Sequence, residues 1–110
     1  MPDDLPLEVD CQTVRGWLAE ADSTTLLVDC REPDEHALVH IAEAQLVPIK
    51  TRLAELEPYR DARIAVHCHH GGRSLRVARW LREQGFALAQ SMAGGIDRWS
   101  LEIDPTLPRY

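Results

Sequence analysis

No stretch of this 110-residue chain approaches the ~20 consecutive apolar positions that a membrane-spanning helix requires, so no membrane association is expected. A basic excess is missing as well. Twelve Lys and Arg stand against 18 Asp and Glu, a net charge of −6, which speaks against a general nucleic-acid binder. Cysteine is scarce and odd in number: Cys11, Cys30 and Cys68 are irregularly spaced and do not read as a disulfide framework. Each is expected as a free thiol in a reducing compartment. With no internal repeat, low-complexity tract or composition shift, residues 1–110 read as one domain, monomeric by default. The N-terminal MPDDLPLEVD has acids and no apolar run; it reads as neither a signal nor a transit peptide, and the cytoplasm is the expected location.

What the sequence does have is alternation. Asp10 is placed to cap a helix reaching about Glu20, with Val14, Trp17, Leu18 and Ala21 on one face. Thr25–Asp29 is a short apolar, β-branched run, a buried strand. Glu32-Pro33 opens a short helix. Ala44–Ile49 is a second expected strand, broken by Pro48, and Thr51–Glu57 a short helix that Pro58 ends. Arg63–His67 is a third strand. Arg73–Gln84 is the strongest helix, with Ser74, Val77, Ala78 and Leu81 inward and Arg76, Arg79 and Glu83 in water, closed by a left-handed Gly85. Phe86–Met92 is a last strand, and Gly94-Gly95 leads into a short helix holding Ile96 and Trp99. Trp17 and Trp80 read as packing residues. The fold class is therefore α/β: a central, mostly parallel sheet of about five strands with helices on both faces.

In such sheets ligands bind where the carboxyl ends of strands meet the following helices. HCHHGGRS, His67 to Ser74, lies at such a point. A short loop with two glycines can turn successive N–H groups inward and make a nest for an anion. The next helix adds free N–H donors and the positive end of its dipole. A Cys68 thiolate in that cradle should have a lowered pKa, with Arg73, and either His69 or His70, adding positive charge at the rim. These are the conditions for a cysteine nucleophile.

Three rival readings bear on Cys68. Zinc binding is suggested by the crowding of His and Cys, but adjacent side chains do not easily converge on one ion. The strand period also sends His67 away from Cys68, and the chain has no second cluster, so no metal is expected. Simple burial suits Cys11 and Cys30, which no nest-forming loop follows, better than it suits Cys68. Cysteine phosphatases close their anion loop as C-x5-R, whereas Cys68 to Arg73 is C-x4-R, a tighter cradle for which a sulfur-centred anion is the better guest.

Four segments in order resemble the single-domain rhodaneses, the rhodanese-like sulfurtransferases. Asp29-Cys30-Arg31-Glu32-Pro33-Asp34-Glu35 is similar to the family's D-x-R-E-x-x-E signature. His40-Ile41-Ala42-Glu43-Ala44 falls where the family has G-H-I-P-G-A, with Val39, Ala42 and Glu43 departing from it. Cys68 to Ser74 resembles the active-site C-x-x-G-x-R-S loop, with histidines at 69 and 70 in place of the more usual basic or small polar residues. Met92 to Trp99 matches L-x-G-G-x-x-x-W.

The resemblance implies a rhodanese-like fold and an enzyme of the thiosulfate:cyanide sulfurtransferase type. Cys68 would take a sulfane sulfur from a small sulfur-anion donor such as thiosulfate, or from a protein persulfide. The resulting Cys68 persulfide would pass it to cyanide, a thiol or a protein thiol, without a cofactor. Cys68 is then catalytic, and His69, His70, Gly71, Gly72 and Arg73 bind substrate. The partner, where there is one, is a persulfide-donating or sulfur-accepting protein. Alternatives are a binding or regulatory module without turnover, and a cysteine phosphatase or arsenate reductase. Arg73 either binds the donor or braces the loop. Asp29, Arg31 and Glu35 read as an ion-pair and capping network, and His40 as a structural histidine. Arg76, Arg79 and Arg82 read as a solvated basic stripe, with docking of an acidic protein as the sharper option.

Overall fold

The computed structural model describes residues 5–21, 23–47 and 53–110. Its elements are β1 (Glu8–Val9), α1 (Cys11–Ala19), β2 (Leu26–Asp29), α2 (Pro33–Leu38), β3 (Gln45–Leu46), a 3-10 helix (Leu53–Tyr59), β4 (Ile64–His67), α3 (Gly72–Glu83), β5 (Ala89–Met92) and α4 (Gly95–Glu102). The strands form one five-stranded sheet in the order β1-β5-β4-β2-β3, every neighbouring pair parallel. This is the expected α/β architecture.

Local chemistry starts the helices as anticipated. The Asp10 carboxylate accepts the Thr13 amide at 2.7 Å and caps α1. Glu32 and Glu35 form a reciprocal capping box on α2, with Pro33 in the first turn, where its missing N–H costs nothing. Gly71 enters α3 at φ +107° and Gly85 follows it at φ +96°, left-handed positions that suit glycine.

Side-chain alternation along the strands then builds a core on each face. Leu27 and Ala65 pack with Cys11 and Val14 of α1 and Ile96 and Trp99 of α4 on one side. Val28, Ile64 and Val66 pack with Leu56, Leu81 and Phe86 on the other. Helices thus cover both faces of the three central strands.

Three readings are corrected and one element is added. The 3-10 helix contains Pro58 rather than ending before it, and runs one residue further to Tyr59, the proline giving up one amide donor near its end. The last strand begins at Ala89, not Phe86: Phe86 is buried by packing beneath α3, not by strand pairing. The edge strand β1 was not anticipated; it pairs Glu8 with Ser91 and Val9 with Met92. Arg82 is not part of a solvated stripe. Its guanidinium donates to the carbonyls of Ala89, Leu5 and Pro6 at 2.8, 2.9 and 2.7 Å, which fastens the N-terminal segment to the sheet. The expected break at Pro48, the end of that strand at Ile49 and the start of the helix at Thr51 lie outside the described residues.

Candidate active site

Strand β4 is fully buried and ends at His67, so Cys68 leaves the sheet at the carboxyl edge between its two central neighbours, β2 and β5. The loop that follows is held from behind by α4. The amides of Ile96 and Asp97 donate to the carbonyls of Cys68 and His69 at 2.9 and 3.1 Å. Since C=O and N–H point opposite ways across a trans peptide, drawing these carbonyls toward α4 turns the next two amides away from it. Gly95, at φ +60°, allows this approach, because a Cβ there would strike both carbonyls.

The Cys68 sulfur is held on the inner side of the turn. The amides of Gly71 and Ser74 donate to Sγ at 3.1 and 3.3 Å, and the Ser74 hydroxyl lies 3.4 Å away. That hydroxyl is braced by Ser91 Oγ of β5 at 2.7 Å. Burial opposes ionisation of Cys68. The Ser74 hydroxyl, followed by the amides of Ser74, Gly71 and Arg73, outweighs it and lowers the thiol pKa from its ordinary value. The other two thiols go the opposite way. Burial pushes Cys11 up to about 11 and Cys30 up to about 12. Among the described cysteines, only Cys68 has its thiol pKa shifted toward ionisation.

The rim differs from the expectation. Arg73 does not reach over the loop as a free cation. It donates to both oxygens of Glu35 at 2.7 and 2.9 Å, a forked pair that raises its own pKa and holds Glu35 down at about 2. Tyr110 joins this pair, its hydroxyl donating to Glu35 at 2.8 Å and accepting from Arg31 at 2.9 Å. Arg31 in turn donates to both oxygens of buried Asp29, whose second oxygen also meets His36 at 2.8 Å. The expected network of Asp29, Arg31 and Glu35 exists, but Glu35 serves Arg73 and meets Arg31 only through Tyr110. His40 is exposed; its Nδ1 meets the His36 carbonyl at 2.9 Å and its ring stacks on His36, a structural arrangement.

His69 and His70 stack at 3.8 Å, and the Tyr110 ring lies on His69 at 3.8 Å and 5°. Burial, then the neighbouring His70, lowers the His69 pKa, so His69 brings no charge to the rim at neutral pH. His70 lies 3.8 Å from Asp97. Ligand atoms of His69, His70 and Asp97 fall within 4.8 Å of one another. Face-to-face stacking, however, runs the in-plane lone pairs side by side rather than toward one point, and Arg109 already takes both Asp97 oxygens at 2.8 and 3.3 Å. His67, 0% exposed, keeps its Nε2 without a hydrogen bond, and burial brings its pKa down to about 4. Gly72 is the first residue of α3 and only its backbone belongs to the loop.

The structure therefore gathers Cys68, His69, Gly71 and Arg73 around one turn, with His70 and Gly72 on its outer side. Sequence reasoning missed Ser74 as a partner of the sulfur, although its place at the end of the loop motif was a visible signal. It also missed Ser91 and Tyr110, which carry no local signal, and Gly95 as the contact behind the loop, although the Gly94-Gly95 pair was visible as a turn.

A parallel α/β domain holding a cysteine sulfur in a strand-to-helix nest of amides defines a class of cysteine-centred sites. The family model described as Rhodanese-like domain matches residues 12–102, and the chain belongs to that family. It is 35% identical over 91 residues to the Rhodanese-like/PpiC domain-containing protein 12, chloroplastic, of Arabidopsis thaliana, covering 76% of this chain and 30% of that protein. It is 30% identical over 91 residues to the thiosulfate sulfurtransferase GlpE of Coxiella burnetii, covering 78% of this chain and 81% of that protein. Among solved structures, a rhodanese-related protein from Thermoplasma volcanium superposes with a TM-score of 0.76 at 25% identity, covering 89% of this chain and 94% of the other. The relatives thus include sulfurtransferases, while the chain spans under a third of the Arabidopsis protein. No helix among the described residues is long and apolar enough to cross a membrane.

Proposed function

We propose that this domain is a sulfurtransferase in which Cys68 carries the sulfur. The Cys68 thiolate attacks the outer sulfur of thiosulfate, a Cys68 S–S bond forms, the donor's S–S bond breaks and sulfite leaves with the electron pair. The new persulfide is an anion at neutral pH, and the loop amides that favour the thiolate suit it equally. A cyanide, thiol or protein thiolate then attacks the terminal sulfur, and the Cys68 thiolate returns. A protein persulfide can replace thiosulfate by the same exchange. The observation that carries this reading is the hydrogen-bonded Cys68 sulfur, with amides at 3.1 and 3.3 Å and a hydroxyl at 3.4 Å. Arg73 braces the loop, and its engagement with Glu35 weighs against a phosphatase, which needs that guanidinium over the phosphoryl group.

One observation favours a second reading, a binding module without turnover: Cys68 is 1% exposed, and Glu35 and Tyr110 tie Arg73 and His69 together across the loop. Mass spectrometry of the intact protein after brief incubation with thiosulfate separates the two. The enzyme gains about one sulfur, ~32 mass units, loses it to cyanide, and gains nothing as Cys68→Ala. A wild-type chain that takes no sulfur from thiosulfate or from a protein persulfide is a module.

A further inference from the structure

The strands that build the site bring a second thiol beside Cys68. Along β2 and β4 the Leu26 amide donates to the Arg63 carbonyl at 3.0 Å, and Leu26 stands opposite Ile64. The Cys30 amide repeats this pattern, donating to the His67 carbonyl at 3.1 Å. Cys30 therefore stands opposite Cys68, one step beyond the last ladder pair, Asp29 and His67. Neighbouring strands run about 4.8 Å apart. That spacing puts the two α-carbons within the span of roughly 4.4–6.8 Å that a disulfide bridges.

Both side chains also belong to one face. Alternation places them with Val28 and Val66, two residues earlier on each strand. Cys30 packs against the core cluster that holds those valines, and the Cys68 sulfur faces the amides of α3, whose Leu81 joins the same cluster. Cys11 lies in the cluster on the opposite face of the sheet. Cys30 is half-buried and feels the Cys68 charge, which adds to burial in keeping it protonated.

We infer that Cys30 is a resolving thiol for Cys68, and that a hydroperoxide converts the pair into a reversible Cys30–Cys68 disulfide that switches the site off. The inference rests on Cys68 being a reactive thiolate, and not on which donor charges it. The Cys68 thiolate attacks one peroxide oxygen, the O–O bond breaks, and Cys68 becomes a sulfenic acid while the other oxygen leaves as an alcohol or water. The Cys30 sulfur then attacks the Cys68 sulfur. An S–S bond forms, the S–O bond breaks, and the hydroxyl departs with the Cys30 proton as water. Two electrons have passed from the thiol pair to the peroxide, and a dithiol reductant returns them. Without Cys30 the sulfenic acid has no neighbouring thiol and proceeds to the irreversible sulfinic acid.

The test treats the full chain with a slight excess of hydrogen peroxide, blocks free thiols under denaturing conditions, and maps the peptides. Wild type should lose about two mass units, yield a linked Cys30–Cys68 peptide with Cys11 alkylated, and recover reactivity with dithiothreitol. Cys30→Ser should show no link, with Cys68 gaining about 32 mass units and staying inactive after the reductant. If Cys30→Ser does not fold by circular dichroism, Cys30→Ala replaces it, and the wild-type map decides by itself. A wild-type Cys68 that reaches the sulfinic acid with no linked peptide overturns the inference while leaving sulfur transfer intact. A Cys68 inert to both peroxide and thiosulfate overturns the thiolate reading, and both proposals fall with it.

Discussion

Ser74→Ala isolates the hydroxyl that contributes most to ionising Cys68. In the native site that hydroxyl lies 3.4 Å from Sγ and 2.7 Å from Ser91 Oγ, and it also contacts the Gly71 carbonyl at 3.3 Å. A hydrogen bond to a charged group contributes about 1.5–3 kcal/mol. With a long contact to a diffuse sulfur the lower end applies, which is a rise of about one pKa unit. The ionised fraction at neutral pH then falls up to about tenfold. A thiolate of higher pKa is the better nucleophile, with a Brønsted exponent of about 0.4–0.5, so the observed rate falls only about threefold. The assay is the rate of Cys68 alkylation by iodoacetamide as a function of pH, with Cys11 and Cys30 replaced by serine in both proteins. The inflection should move up by about one unit, with the rate at neutral pH down about threefold. Stability should drop by about 1–2 kcal/mol, because buried Ser91 loses its partner. An inflection that does not move would show that the amides alone set the pKa, and would refute the role given to the hydroxyl.

Gly95→Ala puts a Cβ against the backbone carbonyls of Cys68 and His69 at a left-handed φ of +60°. It should cost about 2 kcal/mol or more and slow Cys68 alkylation, and a wild-type urea midpoint would contradict it. Acid should unfold the protein in two windows. His67, neutral in the core down to about 4, binds its proton only in the unfolded chain below about 6.5. Stability should therefore fall between those values, by on the order of 3 kcal/mol at most. Asp29 and Glu35, both held at about 2, stabilise the fold above the ordinary carboxylate range and lose that contribution as the pH falls toward 2. Urea midpoints followed across this range would exclude the His67 step if they stayed level until the carboxylates titrate. Glu35→Gln removes one charge from a half-exposed pair, so its stability cost stays near 1 kcal/mol. The freed Arg73 should lower the KM for thiosulfate several-fold at low salt, and an unchanged KM would place Arg73 out of the donor's reach.

Much of the fold was legible because its signals are local. Asp10 three residues before the Thr13 amide, Glu32 and Glu35 around Pro33, and the glycines at 71 and 85 each name their element within one turn of chain. β1 was invisible because two residues, Glu8 and Val9, become a strand only through the edge of β5. Phe86 misled for a related reason: an apolar residue before a strand is buried by the helix above it, and hydropathy does not distinguish packing from pairing.

At the site, the seven residues from Cys68 to Ser74 announced a nest but not its supports, which come from far away in the chain. Arg73 was left between binding a donor and bracing the loop because its partner stands 38 residues earlier. Glu35 carries a local signal that conceals this role, since the oxygen that accepts the Glu32 amide in the capping box also accepts from Arg73. The loop's peptide planes are oriented by the first amides of α4 through the carbonyls of Cys68 and His69. It follows that the anion cradle depends on backbone at positions 94–97 more than on the side chains at 69 and 70. Substituting His69 or His70 should alter what approaches the sulfur, whereas substituting Gly95 should alter the sulfur itself.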